Sequence, residues 1–168
     1  MARRGDYRRC CMTAVDEQRS LSYLARRGVA AQWRGFLRAL VETLDANLDG
    51  ASRDALLRAV GARMAGLMPL PACGSLPELE ARINECLAGC DWGWVEIGLD
   101  PQDRALVLSH NAAPSIAAGT EANGTWIAAV LEGLHGGWLG GQPGSDAALA
   151  PRRVAATAAT VTLRYGRA

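Results

Sequence analysis

SLPELEARINECLAGCDWGWVEIGLDPQDRALVLSH, residues 75–110, changes its hydrophobic period part-way along, and that change decides the fold class. Ser75 and Glu78 stand three apart ahead of an apolar run, which is the spacing of a capping box. Pro77 is tolerated there because the first N–H groups of a helix have no partner within it. Leu76, Leu79, Ile83, Cys86, Leu87 and Cys90 then recur at three- and four-residue steps, predicting a helix with one buried face. After Cys90 the step becomes two. Val95, Ile97 and Leu99 alternate with Trp94, Glu96 and Gly98, which predicts a strand, and after a turn at 101–104 residues 105–110 return beside it.

The pattern extends in both directions. Trp33, Phe36, Leu37, Leu40, Val41, Leu44 and Leu48 form a helical stripe read as core, with Arg34, Arg38, Glu42 and Asp45 on the other side. A second helix is expected with Ser52 as N-cap and Leu56, Leu57, Val60, Met64 and Leu67 as its buried stripe, ended by Pro69 and Pro71. Beyond the hairpin, 111–123 reads as a loop. Asn123 or Thr125 is then expected to cap a fourth helix with Trp126, Ile127, Val130, Leu131, Leu134 and Trp138 on one face. Residues 157–165 alternate as a last strand. About four helices around a small antiparallel sheet make an α+β domain. Its span is 32–168, preceded by residues 1–31, which show no sustained period and read as a flexible basic arm.

That arm carries Arg3, Arg4, Arg8, Arg9, Arg19, Arg26 and Arg27 against Asp6, Asp16 and Glu17, while the whole chain has a formal charge of only +1. So small a net charge argues against a general nucleic-acid binder. No apolar run reaches the roughly 20 residues a membrane span needs. The basic start is followed by Asp16, Glu17 and Arg19 where the apolar core of an export signal should be, so the expectation is a cytoplasmic protein. Five cysteines, an odd number, do not suggest a disulfide framework. Cys86 and Cys90 sit one helical turn apart, but zinc needs two further ligands that no second cluster supplies, so they read as small buried hydrophobes. No metal and no cofactor is expected.

Two histidines restrict acid–base chemistry. His110 falls at a strand end, and His135 reads as lying on the polar side of the fourth helix. Asp91, Glu96 and Glu132 are the carboxylates nearest to aromatic residues and those from which a glycosidase pair would be drawn, but no catalytic motif surrounds them. Five tryptophans accompany one phenylalanine. Trp92 and Trp94 flank Gly93 at the helix-to-strand junction, where they either pack inside or line a groove able to stack on sugar rings. Ala129, Gly133 and Gly137 recur every fourth residue on the fourth helix. Each helical glycine costs about 1 kcal/mol relative to alanine, so a close backbone neighbour is required, in the same subunit or a second copy. A second copy is the hypothesis taken here.

Several of these stretches together resemble the bacterial cellulose synthase D protein family. They are LLRAVGARMAG (56–66), DWGWV (91–95) and GTWIAAVLEGL (124–134), continuing through Gly136, Trp138 and Gln142-Pro143-Gly144. The resemblance implies a non-enzymatic accessory subunit that supports extrusion and crystalline ordering of β-1,4-glucan chains. It also implies a ring-shaped homo-octamer, with passageways lined by N-terminal segments, here Leu21, Tyr23 and Leu24 by position alone. Other synthase subunits and a partner protein that strings rings into a scaffold are implied as partners, as is contact with glucan. A protein that literally guides secreted chains belongs in the periplasm, whereas the absent export pattern favours a cytoplasmic scaffold at the inner-membrane synthase complex. The rival to all of this is a small-molecule or partner-binding module with an apolar pocket.

Overall fold

The computed structural model describes residues 16–167, apart from Gln18, Ala25, Arg26 and Ala122. Residues 16, 17, 19–24 and 27 are helical and constitute α1. There follow α2 (Ala31–Asn47), α3 (Gly50–Leu67), α4 (Leu76–Gly89), β1 (Trp94–Asp100), β2 (Ala105–Asn111), α5 (Ile127–Gly140), β3 (Ala150–Ala156) and β4 (Thr160–Gly166). The four strands form one antiparallel sheet in the order β1-β2-β4-β3. The α+β class and the 94–111 hairpin agree with the sequence reading. Helical structure inside the stretch read as an arm does not, since that stretch has too few apolar residues to display a period.

The register explains which sheet face is the core. Val95 pairs with His110 and Ile97 with Leu108, while His110 pairs with Val161, Leu108 with Leu163 and Leu106 with Tyr165. These side chains share one face, and Val95, Leu108, His110, Val161, Leu163 and Tyr165 are all buried there. α4 and α5 cover that face. The other face carries Glu96, Ser109, Thr162 and Arg164, as expected for an antiparallel sheet that leaves one side in water.

Both sheet edges are closed by side chains. Asn84 of α4 behaves like a neighbouring strand toward β1: it donates to the Val95 carbonyl at 2.9 Å and accepts from the Val95 N–H at 2.7 Å. Glu80 accepts from Ile97 N–H at 2.6 Å. On β3, Pro151 lacks a donor, the register shifts between Arg153 and Ala155, and Glu132 takes the Arg153 N–H at 2.7 Å. These devices make edge-to-edge pairing with another sheet unfavourable. β3 escaped the sequence reading because Ala150-Pro151-Arg152-Arg153 carries neither alternation nor β-branched residues.

The closest packing in the fold is α3 on α5, and it corrects two expectations. The buried face of α3 is Arg53, Leu57, Gly61 and Ala65, whereas Leu56, Val60 and Leu67 of the expected stripe are 46%, 48% and 68% exposed. A Cβ on Gly61 would overlap the Val130 carbonyl oxygen, and one on Gly133 would overlap that of Arg58. A Cβ on Gly137 would come within 2.6 Å of the Ala65 methyl. The close neighbour required by the glycines is therefore α3 of the same chain. Ala129 is buried as well. The second-copy hypothesis for Ala129, Gly133 and Gly137 gives way to this intrachain seam.

Helix ends show where local signals compete. Asp49, not Ser52, caps α3, accepting from Ser52 N–H at 2.9 Å. Ser75 caps α4 as expected, but Glu78 reaches back one residue further, to Gly74 N–H at 2.8 Å. α5 starts at Ile127 behind Trp126 with no side-chain cap, because the Thr125 hydroxyl is taken by Glu121. That bond belongs to a buried ionic cluster. Arg53 contacts Asp45 at 2.8 Å, Asp54 at 2.8 Å and Glu121 at 2.7 Å, tying the ends of α2 and α3 to the 118–121 loop. Burial pulls the Arg53 guanidinium toward neutrality, and its three carboxylate partners more than reverse this. The Thr120 N–H, then Arg53, holds Asp45 below the usual carboxylate range.

Candidate functional site

The sequence reading put the α2 stripe in the core, but in the single chain most of it faces outward. Trp33 is 55% exposed, Phe36 57% and Leu40 41%, and Val41 is the one buried residue of the helix. α2 scarcely touches the rest of the fold except near its C-terminal end, where Asp45 meets Arg53. Between α2 and the α3–α5 layer lies a groove of about 440 Å³. Leu37, Leu40 and Leu44 form one wall, Leu57, Val60 and Met64 the other, and Trp126 and Val130 the floor. Its lining is apolar throughout. Trp33 lines it as well, and Phe36 packs edge-to-face on Trp33 with ring centres 5.8 Å apart. Exposed apolar surface of this kind is more common at interaction sites than elsewhere on a protein.

Trp92, Gly93 and Trp94 separate this groove from a second cleft. The chain turns sharply there because Asp91, Gly93 and Ala112 all have left-handed backbone, with φ of 57°, 76° and 55°. A Cβ on Gly93 would overlap the Asn111 carbonyl oxygen, so only glycine fits. The two indoles consequently diverge. Trp92 is half-buried and lines the apolar groove, whereas Trp94 is 37% exposed beside the cleft.

The junction is held from behind by a pair of buried histidines. His110 Nε2 lies 2.7 Å from the Trp92 carbonyl oxygen, and His110 Nδ1 lies 2.9 Å from His135 Nε2. A carbonyl only accepts, so Nε2 of His110 carries the proton, Nδ1 of His110 accepts, and Nε2 of His135 donates. That leaves His135 Nδ1 as a buried acceptor with no partner among the described residues. Burial keeps both rings neutral, pushing His110 down to about 4 and His135 well below its ordinary value. His135 is thus in the core and not on the polar side of α5, since α5 is covered on most of its circumference.

Of the residues placed by position along a passageway, Leu21 is half-buried on α1 while Tyr23 and Leu24 are exposed at 60% and 48%. Glu132 bonds Arg58 at 2.7 Å through one oxygen and the Arg153 N–H through the other, so both its oxygens are engaged. Trp126 and Trp138 are core residues, as read, and their indole N–H groups donate to the carbonyls of Ile116 and Met68. Cys86 and Cys90 are half-buried, and burial raises the Cys90 thiol. No group of three metal-ligating side chains occurs among the described residues.

The family profile for the D protein of cellulose synthase matches residues 19–166, taking in every element built above from α2 to β4. The chain belongs to that family. Cellulose synthase operon protein D of Komagataeibacter xylinus is 38% identical over 110 residues, which is 66% of this chain and 70% of that protein. The protein of the same description from Komagataeibacter sucrofermentans is also 38% identical over the same share of each chain. Another from K. xylinus is 36% identical. For this member of the cellulose synthase D family, no helix among the described residues is long and apolar enough to cross a membrane.

Arg53 and the face of α2 are the features that sequence reasoning missed. Arg53 had a faint signal, since a lone arginine among Asp45, Asp49 and Asp54 is over-supplied with partners. The exposure of α2 had none, because an apolar stripe looks the same whether its partner is in the same chain or in another.

Proposed function

We propose that this protein is a non-catalytic accessory subunit of bacterial cellulose synthesis that works as a self-assembled scaffold, promoting extrusion and crystalline ordering of β-1,4-glucan chains. The observation that carries the reading is the uncovered apolar face of α2 and its groove. Trp33 and Phe36 form a ridge beside a groove on one and the same surface. Two copies related by a two-fold axis can therefore each insert their ridge into the other's groove, the self-complementarity that an isologous contact requires. Covering Trp33, Phe36, Leu40, Leu56 and Val60 completes the burial of five half-exposed side chains, at about 1 kcal/mol or more apiece. The closed sheet edges support this helical face over strand pairing as the route to assembly.

Association of such dimers into a ring of eight, with Leu21, Tyr23 and Leu24 toward internal passageways, follows the family resemblance and belongs to the same proposal. So do the cytoplasmic position at the inner-membrane synthase complex and a partner protein that links rings. Engagement of both Glu132 oxygens and the complete burial of both histidines support a role without turnover. Light scattering on the purified protein is expected to give a mass near eight subunits, and Trp33→Glu with Phe36→Glu to give smaller, folded species. A wild-type monomer stabilised by an apolar ligand would replace the scaffold with a binding module in the same groove. Recovery of the native protein from the periplasm would overturn the cytoplasmic position.

A further inference from the structure

The His110–His135 pair sits where the elements around the apolar groove are tied together. His110 reaches from β2 to the Trp92 carbonyl at 2.7 Å and to His135 of α5 at 2.9 Å. The His135 ring meets Trp138 edge-to-face with ring centres 5.7 Å apart, and the Trp138 indole donates to the Met68 carbonyl at the end of α3 at 2.8 Å. One chain of contacts therefore joins the sheet, the Trp92 junction and both helices of the α3–α5 layer. Trp92, Trp126, Val130 and Met64, carried on or next to these elements, line the groove.

The chain of contacts has one open position. Both nitrogens of His110 and Nε2 of His135 are committed, so an incoming proton settles on His135 Nδ1, a completely buried acceptor with no partner among the described residues. No carboxylate is available to stabilise the imidazolium. Across the sheet His110 is flanked by Val95 and Val161, while Glu96 of β1 and Arg164 of β4 lie on the opposite face. Glu80 of α4 is occupied by the Ile97 N–H, and Glu132 of α5 by Arg58 of α3 and the Arg153 N–H of β3. Asp91 is exposed, and burial raises the Cys90 thiol and the Tyr165 phenol, which keeps both uncharged near neutrality. Among the described residues the one charge that weighs on His135 is that of His110, and none weighs on His110. A buried charge without a counter-ion is relieved by water. Trp92 is half-buried between exposed Asp91 and the exposed edge of Trp94, so the junction is where the surroundings of the pair already meet solvent. Parting the junction displaces Trp92 from the groove lining.

We infer that the His110–His135 pair is an acid-sensitive latch on assembly: protonation at His135 Nδ1 opens the Trp92 junction, deforms the groove and releases the second copy, while the chain stays folded. The inference rests on the proposed contact between copies through that groove. Above about 6.5 a histidine is neutral whether the junction is open or closed, and the latch is shut. Below it, an opened ring takes a proton that the closed pair refuses, His110 down to about 4. Each histidine then favours the open form by about tenfold per pH unit, roughly thirtyfold at pH 5.

The test is light scattering on the purified full-length protein from pH 7.5 to 5.0 at constant ionic strength, with circular dichroism recorded on the same samples. The wild-type mass should fall below pH 6.5 with the helical signal retained, and recover on return to pH 7.5. His110→Gln combined with His135→Leu should hold its mass to pH 5.0. If that double variant does not fold, His110→Gln alone serves, because glutamine can donate to the Trp92 carbonyl and accept from His135 Nε2. With one ring left to titrate, its loss of mass should be shallower in pH than that of wild type. A wild-type mass unchanged at pH 5.0 overturns the latch and leaves the assembly standing. Dissociation of the variant over the same window and with the same slope as wild type overturns the assignment to the histidines. Joint loss of mass and helical signal overturns the latch in favour of plain unfolding. A monomer at pH 7.5 removes the assembly, and the latch with it.

Discussion

Acidification should destabilise this fold over a window set by its two buried histidines. Lowering the pH protonates an unfolded histidine near 6.5, whereas His110 in the fold accepts its proton only at about 4 and His135 lower still. Between those values the unfolded chain binds more protons, so stability is complete above about 6.5 and falls as the pH drops toward 4. For His110 alone the difference corresponds to about 3 kcal/mol at pH 4. His135 adds to it, because a proton on His135 Nδ1 would place an unpaired charge in the core. A total stability of about 5–15 kcal/mol makes such a loss conspicuous. The assay is urea unfolding followed by tryptophan fluorescence from pH 7.5 to 4.5. The comparison is the double variant His110→Gln, His135→Leu, in which glutamine can still donate to the Trp92 carbonyl. Wild type should lose stability steeply below pH 6.5 while the variant stays nearly level until its carboxylates titrate. Parallel curves would refute the reasoning, as would imidazole NMR signals that titrate near 6.5 in the folded protein.

The α3–α5 seam sets two effects against each other in Gly133→Ala. Helix propensity alone predicts a gain of about 1 kcal/mol, but the new methyl overlaps the Arg58 carbonyl oxygen, a backbone atom that cannot swing aside. Overpacking should win by about 2 kcal/mol or more, read as a lower urea midpoint, and a raised midpoint would refute the seam. Arg53→Met should cost about 3–5 kcal/mol by leaving Asp45, Asp54 and Glu121 together without their cation. Its deficit relative to wild type should shrink as the pH falls through the carboxylate range and the repulsion is neutralised. A deficit independent of pH would assign the loss to packing.

Most of the element list is legible along the chain. The period switch at residues 75–110 specifies a helix followed by a hairpin, Ser75 marks the α4 start, and the Trp126–Trp138 stripe marks α5, because period, caps and turn residues are properties of neighbours in sequence. The need of Gly133 and Gly137 for a close backbone is legible too, since their cost in a helix is local. What met those glycines was settled in three dimensions, when Gly61 and Ala65 of α3 presented a matching hollow. The same holds for His135, whose sequence neighbours do not reveal that α5 is enclosed on nearly every side. It holds for the strand 150–156, which exists because β4 offered it an edge and Glu132 closed the other side. Above all it holds for α2. An apolar stripe records that a surface is to be removed from water, and burial has no direction in sequence. Folding alone could place Trp33 and Phe36 on the outside of the chain, beside the groove between α2 and the α3–α5 layer.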